Sequence, residues 1–127
     1  MIGLLQAERP RLVRFGVSGL CSTAIHTLVA TALFALRDAT PVTANAVAFL
    51  CATVFSYLAN TLWSFSSTVR TRNATRFLAV TLVGFVETLL LARAAEALDA
   101  SRTTSVVAIA LLIPPTTFVL HRLWTYR

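Results

Sequence analysis

Lysine is absent from this sequence, and acidic residues number five against eleven basic ones, all of them arginine. Charged residues make up 13% and hydrophobic residues 57%, where a soluble globular domain carries about 25% and roughly 45–50%. A chain of 127 residues cannot hide that much apolar surface from water, so the composition excludes an ordinary soluble domain. Cysteine occurs twice, at Cys21 and Cys51. Neither stands in a Cys-x-x-Cys or Cys/His pattern, which leaves no zinc signature and no disulfide framework. Both are expected to be small, reduced core residues. No carboxylate pair, nucleophile–base set or metal cluster is visible. The expectation is therefore a protein that is not an enzyme, with no cofactor and no metal.

The formal net charge is +6. In a soluble chain this would point to nucleic acid; here arginines beside a bilayer explain it better, and no nucleic-acid partner is expected. The charges cluster at Glu8–Arg14, Arg37–Asp38, Arg70–Arg76, Asp99–Arg102 and Arg122–Arg127, and only Glu87, Arg93 and Glu96 interrupt the apolar stretches between them. A helix needs about 20 apolar residues to cross the hydrocarbon core. Four spans follow, at about residues 15–36, 42–65, 77–98 and 103–124. The reading is an all-α integral membrane protein, one transmembrane domain over residues 1–127. The first run is too long for the core of a signal peptide and is taken as a retained span.

Tight turns at Arg37–Pro41 and Asp99–Arg102 and a polar loop at Ser66–Thr75 force antiparallel helical hairpins. Arg9, Arg11, Arg14, Arg70, Arg72, Arg76, Arg122 and Arg127 fall on one side. On the other, Arg37 and Arg102 are each offset by a nearby Asp. The positive-inside rule then puts both ends and the central loop in the cytoplasm.

The two hairpins resemble each other. Arg14-Phe15 opens span one and Arg76-Phe77 opens span three. Asn60-Thr61-Leu62-Trp63-Ser64-Phe65 closes span two and His121-Arg122-Leu123-Trp124-Thr125-Tyr126 closes span four. Both matches fall at an offset of about sixty residues, which predicts a parallel repeat about an axis along the membrane normal. Each copy puts an Arg-Phe entry and a Trp-x-aromatic exit at the cytoplasmic interface. One reading is an aromatic belt with snorkelling arginines. The other is a headgroup site. Arg14, Arg76 and Arg122 would hold phosphate through the planar guanidinium fork. Phe15, Asn60, Trp63, Phe65, Phe77, His121, Trp124 and Tyr126 would meet the sugar or the lipid chain.

Inside the spans, Glu87 and His26 lie near mid-depth. Buried ionisable groups in membranes are costly and are functional candidates. Glu87 would pair with His26 or a hydroxyl such as Thr23, Thr27 or Thr53, either in transport or as structural glue. Arg93 and Glu96 form an interfacial pair or an external exit site. Asn45 and Asn60 are expected to bond across helices, and Gly16, Gly19, Ser22 and Gly84 to allow close helix contact. Pro114-Pro115 predicts a kink or local unwinding. The freed carbonyls would face a cavity or be covered by Thr116 or Thr117.

The ordered set of motifs resembles the GtrA-like family of small bacterial membrane proteins. That family shows Arg-Phe with a following Gly at its first span, here Arg14-Phe15-Gly16-Val17-Ser18-Gly19. It ends its second span with Asn-Arg-x-Trp-x-Phe, where this chain has Thr61 in the Arg position. His121 and Tyr126 stand for Asn and Phe in the closing motif, and Arg122 keeps the arginine. The resemblance implies flipping of a polyprenyl-phosphate-linked monosaccharide across the bacterial cytoplasmic (inner) membrane, or assistance to the glycosyltransferase that makes it, for cell-envelope polysaccharide synthesis. It implies a sugar lipid as ligand, and a homo-oligomer or a glycosyltransferase complex as the working unit. Two other classes fit the size: a small proton-coupled cation or drug transporter, in which Glu87 would serve as the coupling acid, and a non-transporting membrane anchor for a glycosyltransferase.

Overall fold

The computed structural model describes the backbone of Met1–Arg127 and every side chain except those of Arg37, Pro41 and Arg102. Any offsetting of Arg37 or Arg102 by a neighbouring Asp therefore lies outside the described residues. The fold is all helical, with no strand among those residues. Helices α1 (Ile2–Arg37) and α2 (Pro41–Ala59) form one compact unit, Met1–Val69; α3 (Thr71–Ala97) and α4 (Arg102–Leu120) form the other, Arg70–Arg127. Both α2 and α4 run on into a five-residue π-helical turn, Asn60–Ser64 and His121–Thr125. Four helices are long and apolar enough to cross a membrane. Their large apolar side chains, Leu20, Leu28, Leu50, Leu90 and Leu111 among them, point outward and are exposed. Water would not tolerate so much apolar surface, whereas lipid tails would cover it.

Helix ends are set by local chemistry. Asp38 and Asp99 each adopt the left-handed conformation (φ 47° and 53°), a region that Asp tolerates better than most residues. There the chain turns back, with the Ala39 N–H donating to the Leu33 carbonyl and the Ala100 N–H to the Ala95 carbonyl. Thr40 and Ser101 then start α2 and α4 by accepting from the backbone N–H groups of Thr43 and Thr104, the usual N-cap arrangement. Asn73 starts α3 by accepting from the Arg70 N–H.

Two helices begin earlier than hydropathy predicts. α1 starts at Ile2 rather than near Phe15, and α3 at Thr71 rather than near Phe77. Hydropathy marks the length embedded in lipid, and the helices continue past it through polar turns. The 36 residues of α1 extend roughly 54 Å at 1.5 Å per residue, well over the ~30 Å core. α4 stays α-helical through Pro114 and Pro115, so no unwinding occurs there. Thr116 and Thr117 donate to the Leu112 and Ile113 carbonyls. These are not the carbonyls of Ala110 and Leu111, which lie four residues before each proline and lose their donor to it.

The close packing differs from expectation. In the first unit the buried stripe is Ala44, Ala48 and Ala52 on α2, small residues at every fourth position that let backbones approach. Ser22 donates to the Ala52 carbonyl across this seam. A methyl group at Gly16 or Gly19 would meet nothing within 4 Å, so those glycines do not serve helix contact within their hairpin. Gly84 does: a Cβ there would lie 3.1 Å from Thr117 Cγ2 and 3.6 Å from Ile113 Cγ2. Gly84→Leu should therefore destabilise the second unit by about 1–3 kcal/mol, the usual cost of overpacking, read as a lower unfolding midpoint in detergent. Cys21 and Cys51 are free, as expected, but exposed rather than buried, because each lies on an outward helix face. Arg93 and Glu96 form no pair with each other among the described residues, whereas Arg11 and Glu8 pair at 2.8 Å.

Candidate functional site

The residues singled out at the helix exits converge, within each unit, on one small constellation. In the first unit Arg14 reaches from α1 to the end of α2. Its Nη1 donates to the Trp63 carbonyl at 3.2 Å, and its guanidinium carbon sits 5.7 Å from the centre of the Trp63 ring. In the second unit Arg76 reaches from α3 to the end of α4. Its Nη1 donates to the Trp124 carbonyl at 2.7 Å, with the guanidinium carbon 5.2 Å from the Trp124 ring. A helix C-terminus leaves carbonyls without partners, and a basic side chain can satisfy them. The cation also gains from the indole face. Each arginine is thus held in place by a carbonyl and a ring.

The π turns bring the tryptophans to these positions. The Phe65 N–H bonds the Asn60 carbonyl and the Tyr126 N–H bonds the His121 carbonyl, each five residues back. Hydrogen-bond register of this kind often marks functional sites in helices. Ser66, just after the first π turn, takes a positive φ of 49°, and its hydroxyl faces the Trp63 carbonyl at 3.5 Å.

Behind each clamp the two units diverge. In the first, Phe15 meets Phe65 edge-on at 6.2 Å. One helical turn beyond Arg14, Ser18 Oγ pairs with Ser64 Oγ at 3.1 Å, fully buried. Asn60 is buried too, but it bonds within its own helix rather than across: its amide donates to the Ser56 carbonyl and hydroxyl. Its Oδ1 is buried with no hydrogen-bond partner. In the second unit His121 fills the corresponding place. It stacks on Phe77 at 4.5 Å with the rings 14° apart, lies 6.1 Å from Tyr126, and pairs through Nδ1 with Thr125 Oγ1 at 2.9 Å. Arg122 sits inside the same π turn as Trp124, half-buried. Ser18, Ser64 and Thr125 are members of this site that residue type alone did not flag. The signal was their spacing: Ser18 is four residues after Arg14, and Ser64 and Thr125 directly follow the tryptophans.

The intramembrane groups each find surroundings within their own unit. His26 Nε2 faces Asn45 Oδ1 at 3.2 Å, across α1 and α2. Thr23 and Thr27 spend their hydroxyls on carbonyls four residues back. Glu87 is half-buried and lines a cavity between α3 and α4. Among the described residues no group of three or more His, Cys, Asp or Glu could hold a metal ion.

A guanidinium carries five N–H donors. Arg14 and Arg76 each spend one on a carbonyl, so each keeps donors for an oxyanion, beside an indole that can cover an apolar or sugar face. Compared with known proteins, the chain matches no curated protein and no solved structure. The family model described as "GtrA/DPMS, transmembrane domain" matches residues 14–126, from the first clamp arginine to the last aromatic of the closing motif.

Proposed function

This chain belongs to the GtrA/DPMS transmembrane-domain family, and from that premise we propose that it translocates a polyprenyl-phosphate-linked monosaccharide across the bacterial cytoplasmic membrane for cell-envelope polysaccharide synthesis. The observation that carries this reading is the recurrence of one device in both units: an arginine fixed over a tryptophan at a helix exit, with guanidinium donors left over. A phosphate is the ligand such a fork fits best, since it accepts two parallel hydrogen bonds and pairs the charge. The indole, level with the headgroups where tryptophans settle, would cover the sugar or the first isoprenoid unit.

In this reading both ends of the chain face the cytoplasm, following the arginine bias, so the clamps meet the lipid on the side where it is made. The phosphate docks at Arg14 or Arg76, and the lipid tail stays in the bilayer while the headgroup crosses. Arg122 adds positive potential beside the second clamp. A second copy of the chain, or the glycosyltransferase that makes the lipid, would complete the enclosure that one hairpin pair is too thin to give.

The test is reconstitution into liposomes with a labelled polyprenyl-phosphate monosaccharide, reading headgroup access from each side. Protein-dependent equilibration between leaflets is the expected result. Copurification with a glycosyltransferase, and no equilibration, would replace the translocase with an accessory anchor. Proton-driven efflux of organic cations without any lipid transfer would replace it with a cation transporter.

A further inference from the structure

Glu87 is a carboxyl in the middle of an apolar span, and nothing in its own unit answers it. It lies eleven residues beyond Arg76, roughly 16 Å along a helix rising 1.5 Å per residue, which is about half of the ~30 Å hydrocarbon core. Ionisable groups at such depth usually pair with another side chain or a backbone group. Among the described residues Glu87 has no hydrogen bond and no ion pair. It opens instead into a cavity of about 350 Å³ bounded by Leu90 and Leu91 on α3 and by Leu112, Ile113 and Thr116 on α4. That volume falls at the small end of the ~300–1,000 Å³ typical of ligand sites.

The cavity's polar atoms are acceptors. The Thr116 hydroxyl donates its proton to the Leu112 carbonyl at 2.9 Å, which leaves its oxygen able only to accept. The Glu87 carboxyl brings two more acceptor oxygens. Such a site asks for a ligand that brings its own donors. Its lining holds no basic side chain, so the phosphate that suits the Arg76 clamp finds no matching donor here. The clamp, which offers donors, and the cavity, which offers acceptors, lie some 16 Å apart on one helix and would sort the two ends of a phosphate-linked sugar. The corresponding position of the first unit, 62 residues earlier, is Ile25, so the carboxyl is not part of what recurs.

We propose that the Glu87 cavity is a mid-membrane station for the sugar, in which the carboxyl accepts hydrogen bonds from sugar hydroxyls while the leucines and Ile113 cover its C–H faces. This rests on the translocase reading and assigns a step to it: the clamps capture phosphate at the membrane surface, and Glu87 lowers the barrier for the hydroxyl-bearing headgroup between the leaflets. A phosphate on the clamp leaves the sugar too far away to reach Glu87, so the station acts in transit and not in capture.

The experiment compares two probes in proteoliposomes: a labelled polyprenyl-phosphate monosaccharide and the same polyprenyl phosphate without sugar. Binding and inter-leaflet transfer are read separately. For Glu87→Leu the expected result is transfer of the sugar lipid slowed about tenfold, the scale of losing one well-made hydrogen bond. Its binding stays within about twofold of wild type, since the clamps are intact. Transfer of the sugar-free lipid is unchanged in the same variant. Glu87→Gln, which keeps one acceptor oxygen and the side-chain volume, falls between the two and controls for folding. Equal slowing of both lipids would overturn the proposal, because Glu87 would then be structural. Unchanged sugar-lipid transfer by Glu87→Leu, or tetraphenylphosphonium binding lost in Glu87→Gln without any effect on sugar lipid, would also overturn it while leaving the translocase reading standing. Failure of the wild-type protein to move either lipid would sink both.

Discussion

Arg14→Ala combined with Arg76→Ala is expected to weaken binding of a polyprenyl-phosphate sugar by one to two orders of magnitude and to slow its transfer in proportion. A hydrogen bond to a charged group is worth about 1.5–3 kcal/mol, and each 1.4 kcal/mol is tenfold in affinity. Both arginines must go, because each unit carries its own clamp. Either single variant should keep about half the capacity, with the affinity of the surviving site unchanged. Arg→Lys at both positions separates charge from shape. Lysine keeps the cation but lacks the planar fork, so an intermediate loss is expected. The measurements are equilibrium binding of the labelled lipid in detergent and transfer in liposomes, with Trp63 and Trp124 fluorescence reporting that the helix exits are still folded. Wild-type affinity in the double alanine variant would show that the arginines only cap the tryptophan carbonyls.

The second large effect concerns the seam of the first hairpin. Ala48 is fully buried on α2 between Ala44 and Ala52. Ala48→Leu inserts three carbons at a position with no exposed surface, and the expected cost is about 1–3 kcal/mol. In lipid the loss is felt in packing rather than transfer, since a leucine facing the tails gains as much as one facing a helix. Separation of α1 from α2 is therefore the cheapest relief. Gly16→Leu is the matched control: a Cβ there meets nothing within 4 Å, and the variant should leave the stability within about 0.5 kcal/mol of wild type. Denaturant titration in detergent micelles, followed by far-ultraviolet circular dichroism, reads both. Equal midpoints for the two variants would show that the alanine stripe is not the packing surface.

These cases also show which parts of the molecule were legible in the sequence. The four spans were, because apolar runs bounded by arginines have no other home than a bilayer, and the family match over residues 14–126 agrees with the motifs that pointed to it. Arg14 and Trp63, and Arg76 and Trp124, stand out in the sequence as sets at the helix exits, and the structure brings each pair together. What they do there was hidden, because it depends on a carbonyl: main-chain acceptors carry no residue letter. The π turns were hidden for the same reason, a shift from four to five residues in hydrogen-bond register that no side chain announces. Small residues misled in one hairpin. Gly16 and Gly19 looked like contact points and Ala44, Ala48 and Ala52 did not, since periodicity shows that a stripe exists but not which face meets the partner. Asn45 crosses to His26 as expected. Asn60 turns back on its own helix because Ser56, one turn earlier, offers both a carbonyl and a hydroxyl.

The lone acceptor on Asn60 has a kinetic consequence. An oxygen shut away without a donor costs about 1–3 kcal/mol, whereas His121 at the matching place has Thr125 to satisfy it. The two exits are thus unequally sealed, and the one ending at Trp63 is the first to breathe. Its amides between Asn60 and Ser67 should trade hydrogen for deuterium sooner than those between His121 and Tyr126, which makes it the gate where local opening begins.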